Sequence, residues 1–263
     1  SGEADALLCN WAPSEELFTF PRRKAWYCCE PQCQFQGLGG GTWPTILDRL
    51  DPSEFLWHNH PDPRYRVPHV THFEELTVNE NPDRIDRAIA IVSNHGGNPW
   101  KRHPDLTYRN RIITQPGVDL YGREGWRRYR ASRFSLRAAP PESYRGPLPG
   151  DWPASEKREL MAKYRYAVCL ENMNEPNYFT EKFVEAVCAG CVPIYRAHPT
   201  VRDTVLKGAS WIDPDQYFHH EDSQLDKNLA LILSRNSSWL AENREFRSTS
   251  HSAIFTRIAA TLR

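Results

Sequence analysis

A strand, a helix and a second strand follow one another in the segment YAVCLENMNEPNYFTEKFVEAVCAGCVPIY, residues 166–195. The runs YAVCLEN and VPIY are apolar enough to form buried strands. In the intervening TEKFVEAVCAG, Phe183, Ala186 and Val187 share one helical face, and Gly190 is placed to end the helix. This order and spacing predict a parallel βαβ unit, because one helix returns the chain for a second strand in the same direction.

Further short strands and helices are predicted on either side of residue 86. ADALLCN and KAWYCCE before it, and AIAIVSN and GVDLYGR after it, have the composition of strands. YRNRIITQ and SEKRELMAKYR are predicted helices; Ser155 is the expected cap of the second, and Thr180 caps the helix of the βαβ unit. ESYRGPLPGDWP, with three prolines and two glycines, is predicted to be a connector. The expected fold is α/β with two lobes, residues 1–86 and 87–263.

Composition and charge limit the partners of the chain. Lys plus Arg and Asp plus Glu both total 33, so no global basic field favours nucleic acid or an anionic membrane. No run approaches the roughly 18 apolar residues of a membrane span, and we expect no transmembrane segment. Cys169 and Cys188 lie in apolar runs typical of reduced, buried thiols. We therefore expect a cytoplasmic protein, or one of the Golgi lumen if the chain is a truncated catalytic domain.

Three groups of residues raise the question of a metal. Cys28, Cys29 and Cys33 cluster, but no second Cys/His pair follows at zinc-ligand spacing. Asp213 and Asp215 resemble a pair that holds Mg²⁺ on a diphosphate. The histidines of WHNHPDPRYRVPHVTHF follow no standard ligand frame, and an acceptor-facing loop or plain surface explains them better. The prediction is that no metal and no separate cofactor is required.

Polar side chains flank the predicted βαβ helix at one edge of the sheet. Glu171 and Asn172 end the first strand, and Tyr178, Glu181 and Lys182 surround the start of the helix. In open parallel sheets, ligands bind beyond the carboxyl ends of the strands, where helix amino termini favour anions. With Lys182 adding a full positive charge, the pattern predicts a diphosphate site, and Glu181 suits sugar hydroxyls. Neither G-x-G-x-x-G nor G-x-x-x-x-G-K-[ST] occurs, which argues against a dinucleotide dehydrogenase or a P-loop enzyme.

Two ordered motifs resemble one enzyme family. The stretch CLEN…NYFTEKFVEAVCAGCVPIYRAHPTVRD resembles the donor-binding motif of the α-1,3/4-fucosyltransferases, family ten of the glycosyltransferases. Upstream, AIVSN…YRNRI…VDLYGR resembles the second signature of that family, and ASWIDPDQY its later Ser-Phe-Ile strand. The resemblance implies a GT-B fold, in which two Rossmann-like lobes with parallel sheets face each other across a cleft. The amino-terminal lobe is short here.

The resemblance also implies roles for individual residues. Arg109 corresponds to the family arginine on the diphosphate, although Arg111 competes for this role and either could be a surface charge of the helix. Lys182 is then the second cation and Glu181 lies on the ribose, while Tyr178, Glu171 and Asn172 line the same pocket. Asn94, which ends the Val-Ser-Asn strand, and Arg123, which follows the Gly-Arg turn, belong to the donor site, although strand-end solvation explains Arg123 equally well.

The implied reaction is inverting transfer of L-fucose from GDP-fucose to a hydroxyl of an oligosaccharide acceptor. Such transfer needs a base for the acceptor hydroxyl, and Glu30 in KAWYCCEPQ follows a short strand as the family base does. Two alternatives stay open. One is a related transferase that uses another nucleotide sugar, such as a UDP-sugar, and the other is a non-catalytic glycan- or nucleotide-binding module.

Overall fold

The amino-terminal part of the chain forms a small parallel sheet. It contains β1 (Ala6–Asn10), β2 (Arg23–Tyr27) and β3 (Phe55–Leu56) in the order β1-β2-β3, with helix α1 (Glu15–Thr19) between the first two strands. The strands predicted in ADALLCN and KAWYCCE are therefore confirmed. This computed structural model describes residues 6–10, 15–27, 49, 51, 55–56, 60, 62, 81, 83–92, 104–122, 141–148, 154–219, 222–243, 256, 258 and 260.

A second parallel sheet carries five strands. The elements that build it are β4 (Ile85–Ile91), α2 (Pro104–Ile113), β5 (Val118–Gly122), β6 (Tyr144–Pro147), α3 (Ala154–Met161), β7 (Tyr164–Val168), α4 (Glu181–Cys188) and β8 (Val192–Ile194). They are followed by α5 (Pro199–Arg202), α6 (Pro214–His219) and α7 (Asp222–Glu242). The predicted α/β class with two parallel sheets is confirmed, as is the βαβ unit β7-α4-β8.

The strand order of the second sheet reverses next to its central strand. The order is β6-β5-β4-β7-β8, so the chain moves outward from β4 to β6 and then returns to place β7 on the other side of β4. Connections that leave neighbouring strands in opposite directions open a crevice at their carboxyl ends. In this sheet the crevice lies between the ends of β4 and β7.

Both faces of the five-stranded sheet are buried. On one face α4 packs against the sheet, and Phe183 makes edge-to-face contacts with Tyr195 and with Trp239 of α7 at ring-centroid distances of 5.2 and 5.4 Å. The other face holds Ala88 and Ala90 of β4 with the helix α2 residue Ile112. Because both faces are covered, the strands are nearly continuous apolar runs, which is why the sequence indicates them clearly.

Helix α4 ends as predicted. Gly190 has a φ of 71°, in the left-handed region that glycine adopts without strain. Its N–H donates to the carbonyl of Val187 and that of Cys191 to the carbonyl of Ala186, at 2.8 and 2.9 Å. This pair of bonds is a Schellman motif, which turns the chain directly into β8.

Three local predictions were wrong. The connector ESYRGPLPGDWP contains the edge strand β6, where Gly146 and Pro147 are tolerated because an edge strand has one unpaired side. Helix α3 begins at Ala154, so the predicted cap position, Ser155, lies inside the first turn of the helix. Strand β7 ends at Val168, so the residues up to Asn172 lie beyond the strand and not in it.

No helix among the described residues combines the length and the apolar character needed to cross a bilayer.

The boundary between lobes at residue 86 stays a prediction.

Candidate functional site

Glu171 is the centre of a buried hydrogen-bond network beyond the end of β7. Its Oε1 accepts from the backbone N–H of Thr180 at 2.8 Å and from the Tyr195 hydroxyl at 3.3 Å. Its Oε2 accepts from the Thr180 hydroxyl at 2.6 Å and from Nζ of Lys182 at 3.3 Å. With both oxygens in use, Glu171 ties the loop after β7 to the first turn of α4 and to the end of β8.

The network corrects the expected role of Thr180. Thr180 is the residue before the first turn of α4, but its side chain makes no capping hydrogen bond. Its hydroxyl is oriented towards Glu171 instead, and it also accepts from Nζ of Lys182 at 2.9 Å.

Lys182 is held between two carboxylates. Its Nζ lies 3.3 Å from Oε2 of Glu171 and 3.5 Å from Oε1 of Glu181, and about a fifth of the side chain, 21%, is exposed. Burial alone acts to lower the pKa of Lys182, but the carboxylates of Glu181 and Glu171 outweigh it and raise the pKa above its ordinary value. Lys182 is therefore protonated, and the two carboxylates compensate most of its charge at the amino terminus of α4.

Arg109 is also a buried cation, but unlike that of Lys182 its charge is not compensated. The residue is 3% exposed, and its NH1 group donates to Oδ1 of Asn172. Within the described part of the chain no carboxylate lies within 4 Å of the guanidinium, and its buried Nε has no partner. Burial therefore lowers the pKa of Arg109 to about 10, although the Tyr178 phenol and the Glu171 carboxylate act against it. A buried and uncompensated cation of this kind is stabilised by an incoming anion.

Two clefts open at the carboxyl edge of the sheet, and Leu170 separates them. The residues that line the arginine cleft are Asp105, Tyr108, Arg109, Leu170, Glu171, Met173, Asn174 and Arg196. The residues that line the lysine cleft are Ile89, Ile91, Val92, Lys157, Met161, Ala167, Val168, Cys169, Leu170, Lys182 and Glu185. The lysine cleft lies at the crevice between β4 and β7, where the strand order predicts a ligand, and the arginine cleft lies between α2, the loop after β7 and Arg196.

The structure brings six of the predicted donor residues together. Arg109 and Glu171 line the arginine cleft, and Asn172 holds the Arg109 guanidinium. Tyr178, only 2% exposed, is close enough to that guanidinium to influence its pKa. The remaining two residues are Lys182, in the lysine cleft, and Glu181, whose carboxylate faces Lys182.

Three predicted site residues lie outside the described residues: Asn94, Arg123 and the proposed base Glu30.

Sequence reasoning missed a group of polar residues at the arginine cleft. Asp105 in the first turn of α2 accepts from the backbone N–H of Asn174 at 2.8 Å and from Arg196 at 3.3 Å. The Arg196 guanidinium lies 4.8 Å from the ring centroid of Tyr108. Arg196 follows β8, so the same rule of strand carboxyl ends that identified Glu171 would have found it.

Three of the residues that raised a metal question are described, and Cys28, Cys29 and Cys33 lie outside the described residues. Oδ1 of Asp213 accepts from the backbone N–H of Asp215 at 2.8 Å, which caps the start of α6, and Asp215 lies 3.4 Å from Arg111. His60 is fully buried and accepts from the backbone N–H of Asp62 at 2.9 Å through Nδ1. Each of these residues therefore has a local hydrogen-bond partner, and the absence of a metal stays a prediction.

An open parallel α/β sheet of this kind places its ligand site at the carboxyl ends of the strands, next to the point where the strand order reverses. Residues 83–248 match the family model described as glycosyltransferase family 10 (fucosyltransferase) C-term. Since the match covers more than half of the 263 residues, the chain belongs to glycosyltransferase family 10.

Individual relatives match over short stretches. The chain is 35% identical over 48 residues to a fucosyltransferase-like protein of Arabidopsis thaliana, and 32% identical over 63 residues to alpha-(1,3)-fucosyltransferase B of Drosophila melanogaster. These stretches cover 18% and 24% of this chain, and 9% and 14% of the two relatives.

Solved structures of glycosyltransferases are similar over nearly the whole chain. A crystal structure of an alpha1,3-fucosyltransferase is 14% identical, with a TM-score of 0.39 over 98% of this chain and 78% of the other. An alpha-glucosyltransferase in complex with UDP-glucose and DNA is 13% identical, with a TM-score of 0.49 over 98% and 80%.

Proposed function

We propose that the protein transfers L-fucose from GDP-fucose, with inversion at the sugar carbon, to a hydroxyl of an oligosaccharide acceptor. The observation that carries this proposal is the buried Arg109 guanidinium, which lacks a carboxylate partner among the described residues and lines the arginine cleft. Membership of the fucosyltransferase family supports fucose as the sugar and GDP as the nucleotide.

Arg109 suits the diphosphate because its planar group donates several hydrogen bonds in a fixed geometry that matches phosphate oxygens. Asn172 holds one side of the group, which orients the other donors. Lys182 supplies a second positive charge from the amino terminus of α4, where the helix dipole adds to it. Together these groups stabilise the leaving diphosphate, and we propose that transfer needs no metal.

The proposed reaction is a single displacement. Glu30 accepts the proton of the acceptor hydroxyl while the acceptor oxygen forms a bond to the anomeric carbon of fucose. The bond from that carbon to the diphosphate oxygen breaks at the same time, and GDP leaves with the electron pair. Attack from the face opposite the leaving group inverts the anomeric configuration.

Glu171 is a positioning residue in this scheme. Its oxygens are already bonded to Thr180, Tyr195 and Lys182, so it acts on the donor through Lys182 and through the shape of the loop.

The direct test is a thermal-shift panel of GDP, UDP, GDP-fucose and UDP-sugars. A ligand that binds only the folded state at 100 times its Kd stabilises that state by about 2.7 kcal/mol. GDP and GDP-fucose are expected to raise the Tm, and UDP is not. Stabilisation by UDP alone would indicate a UDP-sugar donor and contradict GDP-fucose. No response to any nucleotide would contradict the transferase proposal.

Turnover tests the base separately. Glu30→Gln is expected to retain GDP affinity and to lose transfer to an oligosaccharide acceptor, because the amide cannot accept the proton. The matched control is Glu142→Gln, since Glu142 is exposed. Unchanged turnover in Glu30→Gln removes Glu30 from the mechanism, while loss of GDP binding assigns it to the fold or to the donor site.

A further inference from the structure

The carboxylate of Asp105 joins helix α2 to two other elements at the arginine cleft. Asp105 lies in the first turn of α2, where an acidic side chain commonly bonds to the free amides of its own helix. Here its Oδ2 accepts from the backbone N–H of Asn174 at 2.8 Å, and its Oδ1 accepts from NH1 of Arg196 at 3.3 Å. The start of α2 is therefore bonded to the loop after β7 and to the residue Arg196 after β8.

The same helix and the same loop are joined a second time through Arg109. Arg109 lies four residues after Asp105, so the two side chains project from the same face of α2. Its guanidinium donates to Oδ1 of Asn172, two residues before Asn174. Met173, between the two asparagines, is 3% exposed. This loop segment is thus held against α2 by one hydrogen bond on each side of a buried side chain.

The charge of Asp105 does not favour an anion at this cleft, because a carboxylate repels a nearby phosphate. The printed ion pair of Asp105 is with Arg196, and among the described residues Asp105 forms none with Arg109. The groups that act on the pKa of Arg109 against its burial are Tyr178 and Glu171. Any contribution of Asp105 to anion binding must therefore come from the position that it gives to the loop.

The position of the loop matters to Arg109 because a guanidinium binds phosphate through donors that lie in one plane. The side chain of Asn172 holds one edge of that plane. If the loop moved away from α2, the guanidinium could rotate, and its remaining donors would lose their fixed direction.

We propose that Asp105 is a positioning residue of the donor site. Its bond to the backbone amide of Asn174 fixes Asn172, and Asn172 orients the Arg109 guanidinium towards the diphosphate. This inference rests on the function proposed above, and it adds to that site a residue that acts through others and does not itself touch the donor.

The test separates the shape of Asp105 from its charge, with GDP affinity measured by calorimetry in the full chain. Asp105→Asn removes the charge but keeps an oxygen that can accept from the Asn174 amide, and its GDP affinity is expected to stay within about twofold of the unmodified protein. Asp105→Glu keeps the charge but displaces the carboxylate by one methylene, and Asp105→Ala removes the acceptor. Both are expected to weaken GDP by roughly 10- to 100-fold, the value of one hydrogen bond to a charged group.

The matched control is Asp203→Ala. It removes an exposed carboxylate that also pairs with an arginine, Arg202, so the change in net charge is the same as in Asp105→Ala. The control is expected to leave GDP affinity unchanged.

A double-mutant cycle tests the route through Asn172. Asn172→Ala removes the side chain that orients Arg109 and is expected to weaken GDP by roughly 10-fold. In that background Asp105→Ala should weaken GDP by less than about a further twofold, because the bond that it removes has nothing left to position. Losses that multiply in the double variant would overturn the proposed route.

The outcomes separate this inference from the proposed function. If the unmodified protein does not bind GDP, the proposed function fails and the inference fails with it. If it binds GDP, but Asp105→Glu or Asp105→Ala lowers only the Tm and leaves the affinity unchanged or stronger, the positioning role is overturned and the donor site stands. A loss in Asp105→Asn as large as that in Asp105→Glu would also overturn it. Because these two variants are single polar replacements, the comparison holds even if Asp105→Ala does not fold.

Discussion

Replacing Arg109 by methionine should make the ligand-free protein more stable and abolish donor binding. Burial lowers the pKa of Arg109 to about 10, and this fall corresponds to about 3 kcal/mol of unfavourable free energy for the protonated form. Methionine fills much of the same volume without the charge. The variant loses the hydrogen bond to Asn172, which costs about 1.5 kcal/mol at the lower end of the range for charged groups, because half-buried Asn172 can bind water instead. The net expectation is a gain of about 1–2 kcal/mol.

This difference is measurable in a thermal melt without ligand. A gain of about 1–2 kcal/mol raises the Tm by roughly 2–8 °C in a domain of about 150–250 residues. Titration with GDP should show at least a 100-fold loss of affinity, since two charge-assisted hydrogen bonds to phosphate disappear. The matched control is Arg111→Met, two positions along the same helix with a 61% exposed side chain, which should change stability by less than about 0.5 kcal/mol. A lower Tm with GDP affinity retained would show that Arg109 serves the fold and would refute the anion-site reasoning.

Four other perturbations have definite expected outcomes. Glu171→Gln leaves Lys182 beside an amide in place of a carboxylate and should lower the free energy of unfolding by about 3 kcal/mol. Urea titration measures this loss, with Glu142→Gln as the control, and an unchanged midpoint would contradict the hydrogen-bond network around Glu171. Because the pKa of Arg109 lies at about 10, GDP affinity should be level through weakly alkaline pH in calorimetry and should fall only near pH 10, whereas a loss starting near neutrality would implicate another cation. The unfavourable contribution of Arg109 to stability is correspondingly present below about pH 10 and decreases above it, because the folded state then releases its proton before the unfolded state does. Asn177, with a φ of 60°, should tolerate glycine but lose about 1 kcal/mol on change to alanine in the same urea assay, and equal stability of the two variants would contradict the left-handed conformation. Trp239→Ala should cost about 3–5 kcal/mol because the ring is 2% exposed and packs on Phe183, and a loss below about 1 kcal/mol would contradict that packing.

The sequence indicates the second sheet well because its central strands are apolar on both faces. Strands β4, β5, β7 and β8 were predicted for this reason, and the predicted glycine stop at Gly190 is confirmed. Strand β6 was missed because its Gly146 and Pro147 are typical of a turn, and only its pairing with β5 makes it a strand. Local propensity carries no information about such pairing.

The sequence predicted which residues belong to the site better than it predicted the contacts that these residues make. Spacing along residues 166–195 placed Glu171 and Lys182 at one edge, but it assigned Glu171 to the donor pocket without its hydrogen bonds to Thr180 and Tyr195. The contact between Asp105 and Arg196 joins residues 91 positions apart, and the Lys157–Glu185 pair joins two helices. Such contacts depend on how the elements pack, which no local pattern specifies.

The hydroxyl of Thr180 is bonded to Glu171, and this leaves the first turn of α4 without a side-chain cap. A missing cap costs a helix end about 1 kcal/mol, so this turn opens more readily than the buried middle of the helix around Val187. The backbone amides of Lys182 and Phe183 are therefore expected to exchange with solvent deuterium faster than those near Val187 in the free protein. A bound diphosphate that accepts from these amides would slow their exchange, so deuterium uptake at the start of α4 reports donor occupancy without any turnover.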